Sequence, residues 1–202
     1  MLRRGLRWAQ PKPRMARPAL RVAAHRPLLE RLEDRALPSF VAAPTYAVST
    51  GGKPVAVVTG DFNRDGKIDC VTANQGSNNL SFLAGKGNGT FGTATTILLG
   101  KSPTALIAVD LNGDGRLDLV TANKDDNSIS VLLGTGAGTF QTPITIAVGS
   151  KPVALAWGDF NGDHHVDLAI ADNGADAVTI LMGNGNGHFT VAGNIAVGTQ
   201  PT

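Results

Sequence analysis

The sequence predicts an all-β fold of three repeated four-stranded antiparallel units behind a basic N-terminal arm, and three observations predict it. The pattern DFNRDGKID from Asp61 returns as DLNGDGRLD from Asp110 and DFNGDHHVD from Asp159, at a constant interval of 49 residues. The turn GNGTF (Gly87 to Phe91) returns as GAGTF (Gly136 to Phe140) and GNGHF (Gly185 to Phe189), and Pro54, Pro103, Pro152 and Pro201 keep the same interval. A fixed period without insertions means stacked copies of one supersecondary unit. Third, 25 glycines with only 5% aromatic residues suit a turn-rich β protein better than a helical one.

The arm comes first in the chain. Residues 1–35 hold ten Lys and Arg against three acids, whereas the remainder holds eight against thirteen. The overall charge of +2 therefore joins a basic arm to an acidic repeat region. Residues 1–39 read as a basic targeting-like or disordered segment. The apolar stretch Ala19 to Ala24 is broken by Arg21, so a well-formed secretory signal is missing. The tract RPLLERLEDRALPSF (Arg26 to Phe40) resembles an N-terminal segment found ahead of large surface and secreted proteins in one phylum of bacteria, which implies export or a surface location. Clustered Arg with Trp8 is the sort of arm that grips phosphate, but such leaders more often target or tether, and no nucleic acid is expected. No run approaches the 18 or more apolar residues of a membrane span, so no transmembrane segment is expected.

Residues 40–50, ending YAVST, read as an isolated outer strand, followed by units at about 51–100, 101–149 and 150–198. Within each unit the first strand is an apolar run between a proline and the Asp loop: Val55 to Val58, Ala105 to Val109 and Val153 to Trp157. Such a run predicts an innermost strand buried on both faces. The second strand starts at Cys70, Leu119 and Leu168, and the third at Leu80, Ile129 and Val178 with β-branched residues. The fourth ends at Gly100, Gly149 and Gly198. Cys70 shares the column of Leu119 and Leu168 and reads as a small core hydrophobe.

Four strands repeated every 40 to 50 residues is the arithmetic of β-propeller blades. The D-x-N-x-D-G-x-x-D loop and the GxGxF turn resemble the FG-GAP or VCBS-type repeat, the blade of the integrin α-chain head and of many bacterial surface proteins. Phe91-Gly92 gives an FG in the first copy only and no GAP triplet occurs, so integrin ligand recognition does not carry over. Three visible blades predict a partial or open propeller that calls for self-association or further blades to close the ring.

Calcium takes hard oxygen ligands, and positions one, three and five of a tight loop aim side chains at one centre. The predicted ligands are Asp61, Asn63, Asp65, the Lys67 carbonyl and Asp69 in the first loop. The second loop offers Asp110, Asn112, Asp114, the Arg116 carbonyl and Asp118, and the third Asp159, Asn161, Asp163, the His165 carbonyl and Asp167. Up to three Ca2+ are expected. Gly66 and Gly115 stand at position six, where the chain turns sharply, and His164 replaces glycine there, so the third site is expected to be the weakest. Ile68, Leu117 and Val166 at position eight are expected to anchor the loops in the core. Position twelve holds Thr72, Thr121 or Ile170 instead of the glutamate of an EF-hand.

No catalytic or organic-cofactor site is legible: Gly87, Gly89 and Gly92 satisfy a nucleotide-loop spacing, but a hairpin and not a helix follows. The expected function is therefore non-enzymatic: a calcium-binding repeat scaffold, extracellular or at the cell surface, adhering to a protein or carbohydrate ligand. The alternative is an accessory region of a secreted carbohydrate-active or other hydrolytic enzyme. The loops Gln75 to Asn79, Lys124 to Asn127 and Asn173 to Asp176 vary most between copies and are the candidate contact surface.

Overall fold

The computed structural model describes residues 45–48, 52–199 and 201; the basic segment 1–39 and most of the 40–50 lead-in lie outside them. In each repeat the chain turns back at the Asp loop, at a short polar turn and at the GxG turn, which gives four strands. The first copy yields β1 (Pro54–Gly60), β2 (Asp69–Asn74), β3 (Asn79–Leu83) and β4 (Thr95–Leu98). The second yields β5 (Pro103–Val109), β6 (Asp118–Asn123), β7 (Ser128–Leu132) and β8 (Ile144–Ala147), and the third β9 (Pro152–Gly158), β10 (Asp167–Asp172), β11 (Ala177–Gly183) and β12 (Phe189–Ala196).

Each set forms one four-stranded antiparallel sheet in chain order. Pro54, Pro103 and Pro152 open the first strand of each sheet, and the pairing slips by one residue beside each of them. Proline has no N–H to give a ladder, so it sits at the start of an edge strand next to a bulge.

The sheets stack face to face through their first strands, β1 beside β5 and β5 beside β9. Phe62, Val71, Leu80 and Phe82 of the first blade meet Leu106, Leu119 and Leu132 of the second. Forty-nine residues on, Leu111, Val120, Ile129 and Val131 of the second blade meet Leu168, Ile170 and Leu181 of the third, with Leu155 alongside. The two junctions are one interface repeated. Burial of each such side chain stabilises by about 1.5–3 kcal/mol, so each junction contributes substantially to the stability of the fold.

The middle blade lends a face to each neighbour, and β6 and β7 are buried at every residue. The first strands correct one expectation. β5 of the middle blade is half-buried at four of its seven residues, and most of β1 and β9 is exposed or half-buried, instead of buried on both faces. Val57, the counterpart of buried Leu106, is 61% exposed. The three blades do not close into a ring. Of the lead-in, Val48 accepts a hydrogen bond from Ser81 Oγ at 2.9 Å and Tyr46 meets the Phe91 ring edge-on.

Candidate metal centre

The three Asp loops join the first strand of each blade to the second, and their backbones fold around their own carboxylates. In the first, the Asp65 N–H donates to both Asp61 Oδ1 and Asn63 Oδ1, at 3.1 and 3.0 Å. The Asp114 N–H does the same with Asp110 and Asn112, and the Asp163 N–H with Asp159 and Asn161. Gly66, Gly115 and His164 donate to the other oxygen of the first aspartate, and Lys67, Arg116 and His165 donate to the fifth residue. Positions one, three and five are thus brought together around one turn in all three copies. Asp61 Oδ1 accepts one N–H and keeps lone-pair capacity for a cation, whereas Asp110 Oδ1 accepts those of Asn112, Gly113 and Asp114, and Asp159 Oδ1 those of Gly162 and Asp163.

Those N–H donors also favour the charged form. The Lys67 N–H holds the Asp65 carboxyl below the ordinary carboxylate range, and the His164 and His165 N–H groups do the same for Asp159 and Asp163. Exposed ion pairs lie at the rim: Lys67 to Asp65 at 3.2 Å and Arg116 to Asp114 at 3.3 Å. Pairs of this kind contribute roughly 0–1 kcal/mol, too little to hold a carboxylate against a divalent ion.

Position nine lies beneath the loop. Asp69, Asp118 and Asp167 are fully buried. One oxygen of each accepts the N–H of Phe62, Leu111 or Phe160 in its own loop, at 3.1, 2.9 and 2.9 Å. The other accepts the N–H of Gly85, Gly134 or Gly183, at 2.8, 2.7 and 2.8 Å. Burial pushes the Asp118 carboxyl up, the two N–H bonds oppose this, and the negative charges of Asp114 and Asp110 add to the rise. Among the described residues no three His, Cys, Asp or Glu side chains form a metal-holding group by themselves. The residues fit a hard cation whose ligands include the Asn oxygens, a backbone carbonyl and water beside two carboxylates; the donor set is all oxygen, which suits calcium.

The sharp turn at position six is present, with φ of 81° at Gly66, 77° at Gly115 and 66° at His164. Position four is left-handed too, at Gly113 (72°), Gly162 (79°) and Arg64 (60°). Sequence reasoning placed strain in the third loop alone; the first carries it at Arg64, and only the second has glycine at both positions. Position eight departs from expectation as well. Leu117 and Val166 pack into the cores, but Ile68, in the first of the three described blades, is 59% exposed.

Two structural partners escaped the sequence reading. Gly85, Gly134 and Gly183 lie so close to the loop that a Cβ would overlap the carbonyl oxygens of Ile68, Leu117 and Val166. The signal was a third glycine two residues ahead of each GxGxF turn. Asn74, Asn123 and Asp172 form a buried polar column; Asn74 Nδ2 donates to Ser81 Oγ and Asn123 Nδ2 to Ser130 Oγ, while Thr179 Oγ1 donates to Asp172. A Ser or Thr seven residues after each Asn or Asp was the legible trace.

The variable turns are partly tied down. Asn78 Oδ1 accepts the N–H of Ser102 at 2.8 Å and Asn127 Oδ1 that of Lys151 at 2.9 Å, so each secures the start of the next blade. Among the described residues no helix is long and apolar enough to cross a membrane.

Residues 61–121 and 110–170 match the family of FG-GAP-like repeats. No curated protein matches the chain. Among solved structures it is similar to a periplasmic gluconolactonase of Pseudomonas aeruginosa, with 19% identity and a TM-score of 0.59 over 76% of this chain and 42% of that one. It is also similar to a candidate 6-phosphogluconolactonase of Bacteroides fragilis, with 18% identity and a TM-score of 0.58 over 74% of this chain and 41% of that one. The chain thus spans less than half the length of these propeller-like proteins, and at such identity the likeness shows the fold.

Proposed function

This chain belongs to the family of FG-GAP-like repeats, and on that premise we propose that it is a non-enzymatic scaffold whose blades are stabilised by calcium and which acts outside the cell or at its surface. One observation carries the cation reading: the same convergence of aspartate and asparagine oxygens on one backbone N–H in all three loops. Asp61, Asn63 and Asp65 would hold the ion in the first blade, with their counterparts in the others. The ion would draw the two carboxylates together and relieve their repulsion on the buried position-nine Asp. Binding to the folded state alone stabilises it by mass action.

The loops joining second to third strands are the contact surface in this reading, taking a protein or carbohydrate ligand. They differ between copies while the blades beneath them repeat, and their ends are held by Asn78 and Asn127. Adhesion and an extracellular or surface location come to this chain from the family resemblance and from the tract Arg26 to Phe40.

Thermal unfolding of the full chain in chelator, magnesium and calcium tests the cation reading. Calcium should raise the midpoint well above both of the other conditions. Identical midpoints in all three would overturn it.

A further inference from the structure

The chain buries two kinds of aspartate, and its own repeats show how Asp172 differs from the others. Asp69, Asp118 and Asp167 each accept backbone N–H groups on both oxygens. Asp172 is as fully buried, but its Oδ1 has no hydrogen-bond partner. Its column holds two asparagines in the other copies. Asn74 Nδ2 donates to Ser81 Oγ at 2.9 Å, Ser81 Oγ donates in turn to the Val48 carbonyl at 2.9 Å, and Asn123 Nδ2 donates to Ser130 Oγ at 2.8 Å. The oxygen of each asparagine accepts from a threonine hydroxyl, Thr72 or Thr121. In the third copy that threonine is Ile170, which has nothing to donate.

Thr179 stands where Ser81 and Ser130 stand. Its Oγ1 lies 2.5 Å from Asp172 Oδ2 and 2.9 Å from Oδ1 of Asn194, its cross-strand neighbour on β12, and it accepts the N–H of Gly149, at the end of the second unit, at 3.3 Å. One hydroxyl proton cannot serve both oxygens. Given to Asp172, it leaves lone pairs facing lone pairs at Asn194. Given to Asn194, it requires Asp172 to bring a proton of its own, and the chain of bonds then runs as it does from Asn74 through Ser81. A buried carboxylate with an unpartnered oxygen also costs far more than a neutral acid with a free carbonyl oxygen.

We infer that folding places a proton on Asp172 Oδ2, that this proton is donated to Thr179 Oγ1, and that Asp172, Thr179 and Asn194 form a pH-sensitive clasp joining β10, β11 and β12 to the end of the second blade. The bond between Thr179 and Asp172 thus runs from the acid to the hydroxyl. On ionisation the proton leaves for water, Thr179 turns its own proton to Asp172, and the bond to Asn194 is lost. Burial outweighs the Thr179 hydroxyl and the N–H groups of Gly149 and Thr179, and holds the carboxyl above its ordinary range. The titratable groups on the surrounding elements are Lys151 before β9, Asp167 at the far end of β10, Asp176 before β11 and His188 before β12. Among the described residues no cation pairs with Asp172. Asp172 lies outside the Asp loops, so the inference does not rest on the cation reading.

The test is carboxyl-carbon NMR of the isotopically labelled full chain between pH 3 and pH 8, where the Asp172 Cγ shift reports its proton directly. The titration midpoint should lie above the ordinary aspartate value of about 3.9. Hydrogen exchange, corrected for its intrinsic pH dependence, reads the clasp. Protection of Gly149 and of the β12 amides beside Asn194 should fall about tenfold per pH unit from 3.9 up to that midpoint and stay level above it. In Asp172→Asn protection should stay level over the whole range, because an amide donates to Thr179 with no proton to lose. The wild-type titration decides the protonation whether or not the variant folds. An Asp172 that titrates at or below 3.9 would overturn the inference and make the Asn194 amide the donor to Thr179. Protection that ignores the Asp172 midpoint, or follows pH equally in Asp172→Asn, would overturn the clasp.

Discussion

Asp118 Oδ1 accepts the N–H of Gly134 at 2.7 Å across sixteen residues of sequence, while its other oxygen accepts the N–H of Leu111. This carboxylate ties the cation loop to the hairpin behind it, and Asp69 and Asp167 repeat the tie in the other blades. The position-nine aspartates thus have a structural duty whether or not an ion is bound.

That duty separates two substitutions in one loop. Asp118→Asn turns an acceptor into a donor opposite a buried N–H and should destabilise the chain by about 2–4 kcal/mol. The loss should be of similar size in chelator and in calcium. Asp114→Asn should cost little in chelator and remove most of the calcium-induced rise of the midpoint. Urea unfolding of both variants in both conditions reads the difference.

Gly134→Ala should destabilise by about 2–4 kcal/mol, the range of severe backbone clashes, because its Cβ would overlap the Leu117 carbonyl oxygen and force the loop off the hairpin. Gly113→Ala is strained by its left-handed φ of 72° but meets nothing within 4 Å, so it should cost only about 1–2 kcal/mol. Equal losses in chemical denaturation would argue against the close approach.

Arg64→Gly and His164→Gly each relieve a left-handed residue that carries a Cβ. Each should stabilise by up to about 1 kcal/mol net, the strain relief being partly offset by glycine's greater freedom when unfolded. Site-resolved calcium titration should then rank the second loop tightest in the wild type, with the first and third approaching it in the double variant. Unchanged ranking would show that strain at these positions does not set affinity.

Asp172 occupies the column of Asn74 and Asn123, and its Oδ1 is buried without a hydrogen-bond partner. Burial pushes its carboxyl above the ordinary value. The folded form therefore binds the proton more tightly than the unfolded chain. This contribution to stability is full below the unfolded pKa of about 3.9 and is lost as pH rises through the higher folded value. Asp172→Asn should accordingly stabilise by about 1–3 kcal/mol at neutral pH, with the gain shrinking toward pH 3. Unfolding midpoints of the two proteins across that range check both sign and slope.

The period, the strand order and the gathering of positions one, three and five were legible because they are local: they depend on residues a few places apart. The Asp118–Gly134 tie was not, since nothing in DLNGDGRLD names a partner in a distant hairpin. Arg64 hid a second left-handed position that Gly113 and Gly162 mark in the other copies. The expected burial of the first strands failed for a different reason. Whether Val57 or Ile68 is covered depends on what lies beyond the outer blade, which no pattern inside one repeat encodes.

Each junction between blades is the preceding one shifted along the chain, with Leu111 standing in for Phe62 and Phe189 for Phe140. A gene that gained or lost one whole unit would need to invent no contact surface and would leave both termini of the array chemically the same. Copy number in such a protein is free to drift by duplication.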